Sequence, residues 1–187
     1  TERTYAVYVP PDYTPHEKWP LVVFMHGSAR RGSDGYSQTD QGLGPAIRSN
    51  PEMFPCIVIM PQCPEGKYWP DVADHIDTAI AQTLRDYRID GNRIYLTGLS
   101  LGGFGTFYYG ADRADTFAAM MPIAGGGMDR CVPPLVDIPM WVFHNSGDRT
   151  VPVRRSREMV NALKAAGSDV RYTEFPDKGH DAWTKAY

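Results

Sequence analysis

The sequence predicts an α/β fold, a mostly parallel central sheet with helices on both faces. Three observations carry that expectation. From residue 21 onward, short apolar runs rich in Val, Ile and Met alternate with segments whose apolar residues recur at helical spacing. All but the last of the runs, 170–175, which alternates, are continuous rather than alternating in polarity, as strands buried on both faces are. Most of the runs end in loops rich in Gly, Ser, Pro or Asp, and parallel strands place all such loops on one edge of the sheet.

In chain order, residues 4–9 alternate and are rich in Val and Tyr, which reads as a first strand, broken by Pro10 and Pro11. Residues 21–25 form a buried strand that ends at His26-Gly27-Ser28. A Gly/Ser-rich loop follows, and then a helix over 44–49 with Pro45 in its first turn. Residues 57–60 are the next strand, followed by the long loop 61–70. Asp71 reads as the N-cap of a helix whose apolar face is Val72, Ile76, Ala79, Ile80, Thr83, Leu84 and Tyr87. Asp90-Gly91-Asn92 reads as a turn into a strand at 94–97. Further strands are expected at 118–123, 140–144 and 170–175. The glycines after Ala124 read as a flexible turn, and a helix at about 153–166 is capped by Gly167. A last helix would start near Trp183.

At 187 residues and 42% hydrophobic content, the chain reads as one domain, 1–187, with a single sizeable core. Nineteen basic and 22 acidic residues are well mixed for a net charge of −3, so no basic stripe points to nucleic acid. No apolar run approaches a membrane span. Thr1 leads into the first strand with no signal peptide in the chain. Three cysteines, Cys56, Cys63 and Cys131, have no zinc spacing. Cys56 reads as a buried apolar residue, and a Cys63–Cys131 bridge stays open. Composition says nothing of oligomeric state.

The chemistry centres on Gly98-Leu99-Ser100-Leu101-Gly102, which matches G-x-S-x-G between an apolar strand and a Gly-rich helical segment beginning at Gly103. That context fits a sharp strand-to-helix turn that exposes a serine. Asp148 and His180 follow in chain order, in loops after the strands at 140–144 and 170–175. All three can therefore converge on one edge of the sheet. Ser100 is the expected nucleophile, His180 its base and Asp148 the group that orients His180. Asp148 alternatively serves an Asx turn, with Asp177 or Asp181 as substitute acids. His26 and His144 end strands and read as structural or supporting. His16 and His75 read as solvated. The backbone N–H groups of Leu101 and Ser28 are the expected oxyanion donors. No His and acid spacing suggests a metal centre, and no cofactor is expected.

The segments Leu-Val-Val-Phe-Met-His-Gly-Ser (21–28), Arg-Gly-Ser-Asp (31–34), Pro-Gln-Cys-Pro-Glu-Gly (61–66) with Trp69, Gly-Leu-Ser-Leu-Gly-Gly (98–103), His-Asn-Ser-Gly-Asp (144–148) and Gly-His-Asp-Ala-Trp (179–183) together resemble the α/β-hydrolase superfamily. More narrowly, they resemble its compact carboxylesterases and predicted peptidases, near the phospholipase/carboxylesterase and prolyl-oligopeptidase-like families. Relatives often carry a glutamate where this chain has Arg30. The resemblance implies a minimal α/β-hydrolase fold that hydrolyses short-acyl or aryl carboxylic esters, including acetyl or feruloyl groups on carbohydrate. It also favours a secreted or periplasmic location. The substrate is then a small-molecule or carbohydrate-linked ester. No long insertion follows the strand at 118–123, so no large lid and an open, shallow site are expected. Tyr68, Trp69, Phe104, Val151 and Trp183 lie in or beside the site loops and either line a pocket or pack. A prolyl-oligopeptidase-like peptidase and a non-catalytic ligand-binding protein of the same fold are the alternatives.

Overall fold

The structure, a computed structural model, describes residues 4–187. The reading of Thr1 as the lead-in to the first strand lies outside them. Among the described residues, one sheet holds seven strands in the order β1-β3-β2-β4-β5-β6-β7. They are β1 (Tyr5–Tyr8), β2 (Trp19–Met25), β3 (Ile57–Pro61), β4 (Ile89–Leu99), β5 (Ala119–Ile123), β6 (Trp141–Asn145) and β7 (Arg171–Phe175). Only β1 is antiparallel, with Tyr5 opposite Pro61. The remaining pairs are parallel, so the loops after β2, β4, β6 and β7 share one edge, as the sequence predicts.

Successive side chains of a strand point to opposite faces, and the core is divided accordingly. Leu21, Val23 and Met25 of β2 face a cluster built with helices α2 (Ala73–Asp86), α3 (Leu101–Asp112), α4 (Val132–Leu135) and α5 (Arg154–Ala165). Phe24 of the same strand joins Val58, Met60 and Leu99 against α1 (Leu43–Ser49) and α6 (Trp183–Ala186). Helices therefore cover both faces. Leu96 and Ile59 are almost completely buried, and burying each such side chain contributes about 1.5–3 kcal/mol.

The helix α5 ends as its sequence predicts. Gly167 adopts φ +99°, and the N–H groups of Gly167 and Ser168 turn back to the carbonyls of Lys164 and Leu163. Several other expectations change. Asp71 lies in a 3-10 turn ahead of α2, where its carboxylate accepts from the Tyr68 N–H at 2.9 Å, so it caps that turn rather than α2. Leu84 is exposed and Tyr87 lies one residue past the helix end. His75, expected in solvent, is buried.

Asp90-Gly91-Asn92 is not a turn between elements. It sits within β4, where the pairing with β2 slips between Trp19↔Ile89 and Leu21↔Ile94. Extra residues on one strand bulge outward, so turn-forming residues are tolerated inside the strand. The glycines after Ala124 sit in a closely packed segment. Gly125 and Gly126 are buried, and a Cβ on Gly125 would stand 2.4 Å from the Gly103 carbonyl carbon of α3. Close backbone packing explains them. Cys56 is only half-buried, Cys63 and Cys131 are buried, and no disulfide joins these two. Among the described residues, no helix is long and apolar enough to cross a membrane.

Candidate active site

The strand β4 delivers Ser100 at the sheet edge, and α3 starts at the next residue. Ser100 adopts φ 55° and ψ −116°, a left-handed conformation that a residue with a Cβ adopts only under strain. The bend is held by the Ser100 N–H, which donates to the Ile123 carbonyl at 2.9 Å. It is possible only because of its glycines. A Cβ on Gly98 would lie 2.5 Å from the Gly102 carbonyl oxygen, and one on Gly102 would lie 1.9 Å from that of Met25.

Two loops bring partners to Ser100. The loop after β7 carries His180, whose Nε2 lies 2.8 Å from Ser100 Oγ. The loop after β6 carries Asp148, whose Oδ2 lies 2.5 Å from His180 Nδ1. With the proton on Nδ1 donated to Asp148, Nε2 is free to accept from the serine hydroxyl. Asp148 also makes the Asx turn that was its alternative reading. Its Oδ1 accepts from the N–H groups of Thr150 at 2.8 Å and Val151 at 3.0 Å. The two readings are compatible because each uses a different carboxylate oxygen. Asp177 instead faces Lys185, and Asp181 accepts from the Asn145 side chain.

The loop after β2 passes beside the serine, with a Cβ built on Gly27 falling 3.5 Å from Ser100 Cβ. The N–H groups of Ser28 and Leu101 donate to no other backbone carbonyl among the described residues, and the first N–H groups of a helix have no helical acceptor. They are available to a developing oxyanion. His26 braces this loop. It makes a 2.7 Å hydrogen bond from Nδ1 to the Gly27 carbonyl and accepts the Cys63 N–H at Nε2 at 2.9 Å. Burial lowers its pKa to about 4, which keeps it neutral and suits one donor and one acceptor nitrogen.

Ser100 opens onto a cavity of about 640 Å³ lined by Ser28, Tyr68, Trp69, Phe104, Tyr108 and Val151, among others. Aromatic side chains dominate its lining, Tyr68 from the loop after β3 and Phe104 and Tyr108 from α3. Phe104 and Val151 line it. Trp69 forms its buried floor, stacking edge-on against His26 at 5.0 Å and donating its indole N–H to the His26 carbonyl. Trp183 does not line it but sets its ring edge-on against His180 at 5.3 Å. Sequence reasoning missed Arg31, Tyr108, Met128, Arg130 and Thr150 as lining residues. Tyr108 was accessible to it, because Leu101, Phe104 and Tyr108 share one face of a helix. A larger cavity of about 790 Å³ lies over the opposite face, bordered by Val22, Met121 and Tyr187. It lies on the face away from the Ser100–His180–Asp148 line and carries none of its members. Among the described residues, no group of three or more His, Cys, Asp or Glu could hold a metal ion.

A family model described as Esterase matches residues 1–165. A thermostable esterase of known structure is 38% identical and superposes with a TM-score of 0.87, covering 98% of this chain and 55% of that one. A curated bifunctional acetylxylan esterase/xylanase from Neocallimastix patriciarum is 27% identical over 151 residues, covering 78% of this chain and 21% of its own. A feruloyl esterase module from Clostridium thermocellum, solved with sinapinate, shares the fold at 17% identity and a TM-score of 0.77, covering 97% of this chain and 78% of that one. The chain thus spans about a fifth of that curated relative and just over half of the thermostable esterase.

Proposed function

The chain belongs to the Esterase family, and from that premise we propose that it hydrolyses carboxylic esters through an acyl-enzyme on Ser100. The observation that carries this reading is the hydrogen-bonded line Ser100–His180–Asp148 at the mouth of an aromatic pocket. His180 accepts the Ser100 proton as Oγ attacks the ester carbonyl, and Asp148 holds the imidazole and stabilises its charge. The oxygen that becomes negative is met by the N–H groups of Ser28 and Leu101. The C–O bond to the alcohol then breaks, and His180 passes its proton to that alcohol. Water, deprotonated by His180, attacks the acyl-enzyme and releases the acid and Ser100.

Tyr68, Phe104 and Tyr108 give the pocket room and stacking surface for an aromatic acyl group as well as a short aliphatic one. The acetylxylan and feruloyl names of relatives agree with that range, and carbohydrate-linked esters are the proposed natural substrates. The test is turnover of p-nitrophenyl acetate, butyrate and octanoate and of methyl ferulate by the native chain and by Ser100→Ala. A loss of about 10⁴-fold or more in Ser100→Ala is expected, as for other serine hydrolases that lose the nucleophile. Equal rates in both proteins would exclude Ser100 as nucleophile.

A further inference from the structure

Two guanidinium groups border the Ser100 pocket, and no salt bridge of either is present among the described residues. Arg31 lies over the ring of Tyr68 at 4.9 Å, and Arg130 lies over the ring of Tyr108 at 5.4 Å. All four side chains line the cavity, and no Asp or Glu does. Arg48, Arg93, Arg113, Arg154 and Arg157 each face a carboxylate, whereas Arg171 lies over Trp141 without one among the described residues, outside this cavity. The Nε of Arg31 is moreover buried with no hydrogen-bond partner.

An arginine stacked on an aromatic ring is held in place while the N–H groups in its plane remain free for a carboxylate. Apolar walls around uncompensated positive charge strengthen its field in the cavity. The cavity borders Ser100, Ser28 and Leu101 but not His180. The alcohol must leave toward His180, which supplies its proton, so the acyl part of the ester fills this cavity.

We propose that Arg31 and Arg130 make the acyl pocket selective for esters whose acyl chain carries a carboxylate remote from the ester bond. This deepens the ester-hydrolase reading and rests on it. The pairing is between a fixed fork and a planar anion, so charge and geometry both contribute. The same contact would weaken in salt to the extent that solvent reaches it.

The test compares two substrates that differ only in charge, p-nitrophenyl hydrogen adipate and p-nitrophenyl methyl adipate. The native chain should favour the free acid by about tenfold to a hundredfold in kcat/KM, the range of a charge-assisted contact. Arg31→Gln and Arg130→Gln should each bring that ratio toward one, and Arg31→Lys should fall between. Because Arg130 is exposed, its variant keeps the test available if Arg31→Gln does not fold. Calorimetry of monomethyl and dimethyl adipate binding to Ser100→Ala reads the same arginines without turnover. Hydrolysis of neither ester above the Ser100→Ala background would sink the hydrolase reading alone. A charge ratio near one in the native chain, or a ratio unchanged in both arginine variants, overturns the selectivity. Where there is no turnover, equal binding of the two adipates overturns it too.

Discussion

His144 Nε2 lies 3.3 Å from Oδ2 of Asp148, the same oxygen that meets His180 Nδ1. Asp148 is therefore held between two histidines. His144 is fully buried, and it also contacts the Val151 carbonyl at 2.9 Å and Ser156 Oγ at 2.7 Å. Ser156 in turn donates to the Gly125 carbonyl. The second histidine thus ties the Asp148 turn to α5 and to the loop after β5. His144→Ala removes these contacts and leaves a cavity, and it should lower stability by about 2–4 kcal/mol. Urea unfolding measures it, and a loss below about 0.5 kcal/mol would mean the network contributes little.

Asp148 itself accepts three N–H groups, two from the backbone and one from His180. Asparagine has one acceptor oxygen and must turn its amide toward the backbone turn or toward His180. Asp148→Asn should cut kcat on p-nitrophenyl butyrate by about 10³–10⁴-fold, as loss of the orienting acid does in such arrangements. A drop of less than about tenfold would assign the acid role elsewhere, since a positioning acid in this arrangement is worth far more.

Burial lowers the pKa of His26 from 6.5 to about 4 and lowers that of His144 as well. Below pH 6.5 the unfolded chain binds protons that the folded chain does not, so stability falls with pH. The His26 contribution is complete above pH 6.5 and is lost as the pH falls to about 4. Its full size is up to about 3 kcal/mol. Protonation would also cost the Cys63 N–H its acceptor. The urea midpoint should therefore drop between pH 7 and pH 5, and less so in His26→Asn. Proton NMR of the native His26 ring should show it neutral at pH 5; a charged ring there would refute the burial argument.

Gly102 faces the Met25 carbonyl so closely that a methyl group cannot enter without backbone movement. Gly102→Ala should cost at least about 3 kcal/mol or yield insoluble protein. A variant with the native melting temperature and full activity would show that the turn after β4 is more adaptable than its geometry implies.

Local pattern decided much about this molecule. Apolar runs marked the inner strands, because a strand buried on both faces must be apolar throughout, and alternation marked the two edge strands. The Ser100 turn was legible because its glycines and strand-to-helix context are chemical necessities at adjacent positions. Ser100, Asp148 and His180 could be gathered at one edge, because parallel strands place their following loops there. Tertiary structure decided what depends on residues far apart in the chain. Asp90-Gly91-Asn92 has turn chemistry, and only pairing with β2 makes it a bulge within β4. His75 sits at a helix start, and only packing buries it. The two histidines on one oxygen of Asp148 come from β6 and the loop after β7. Arg31 over Tyr68 and Arg130 over Tyr108 bring loops from opposite halves of the chain to one cavity. Propensity and periodicity act over a few residues, whereas a pocket is assembled by packing between elements that the sequence separates.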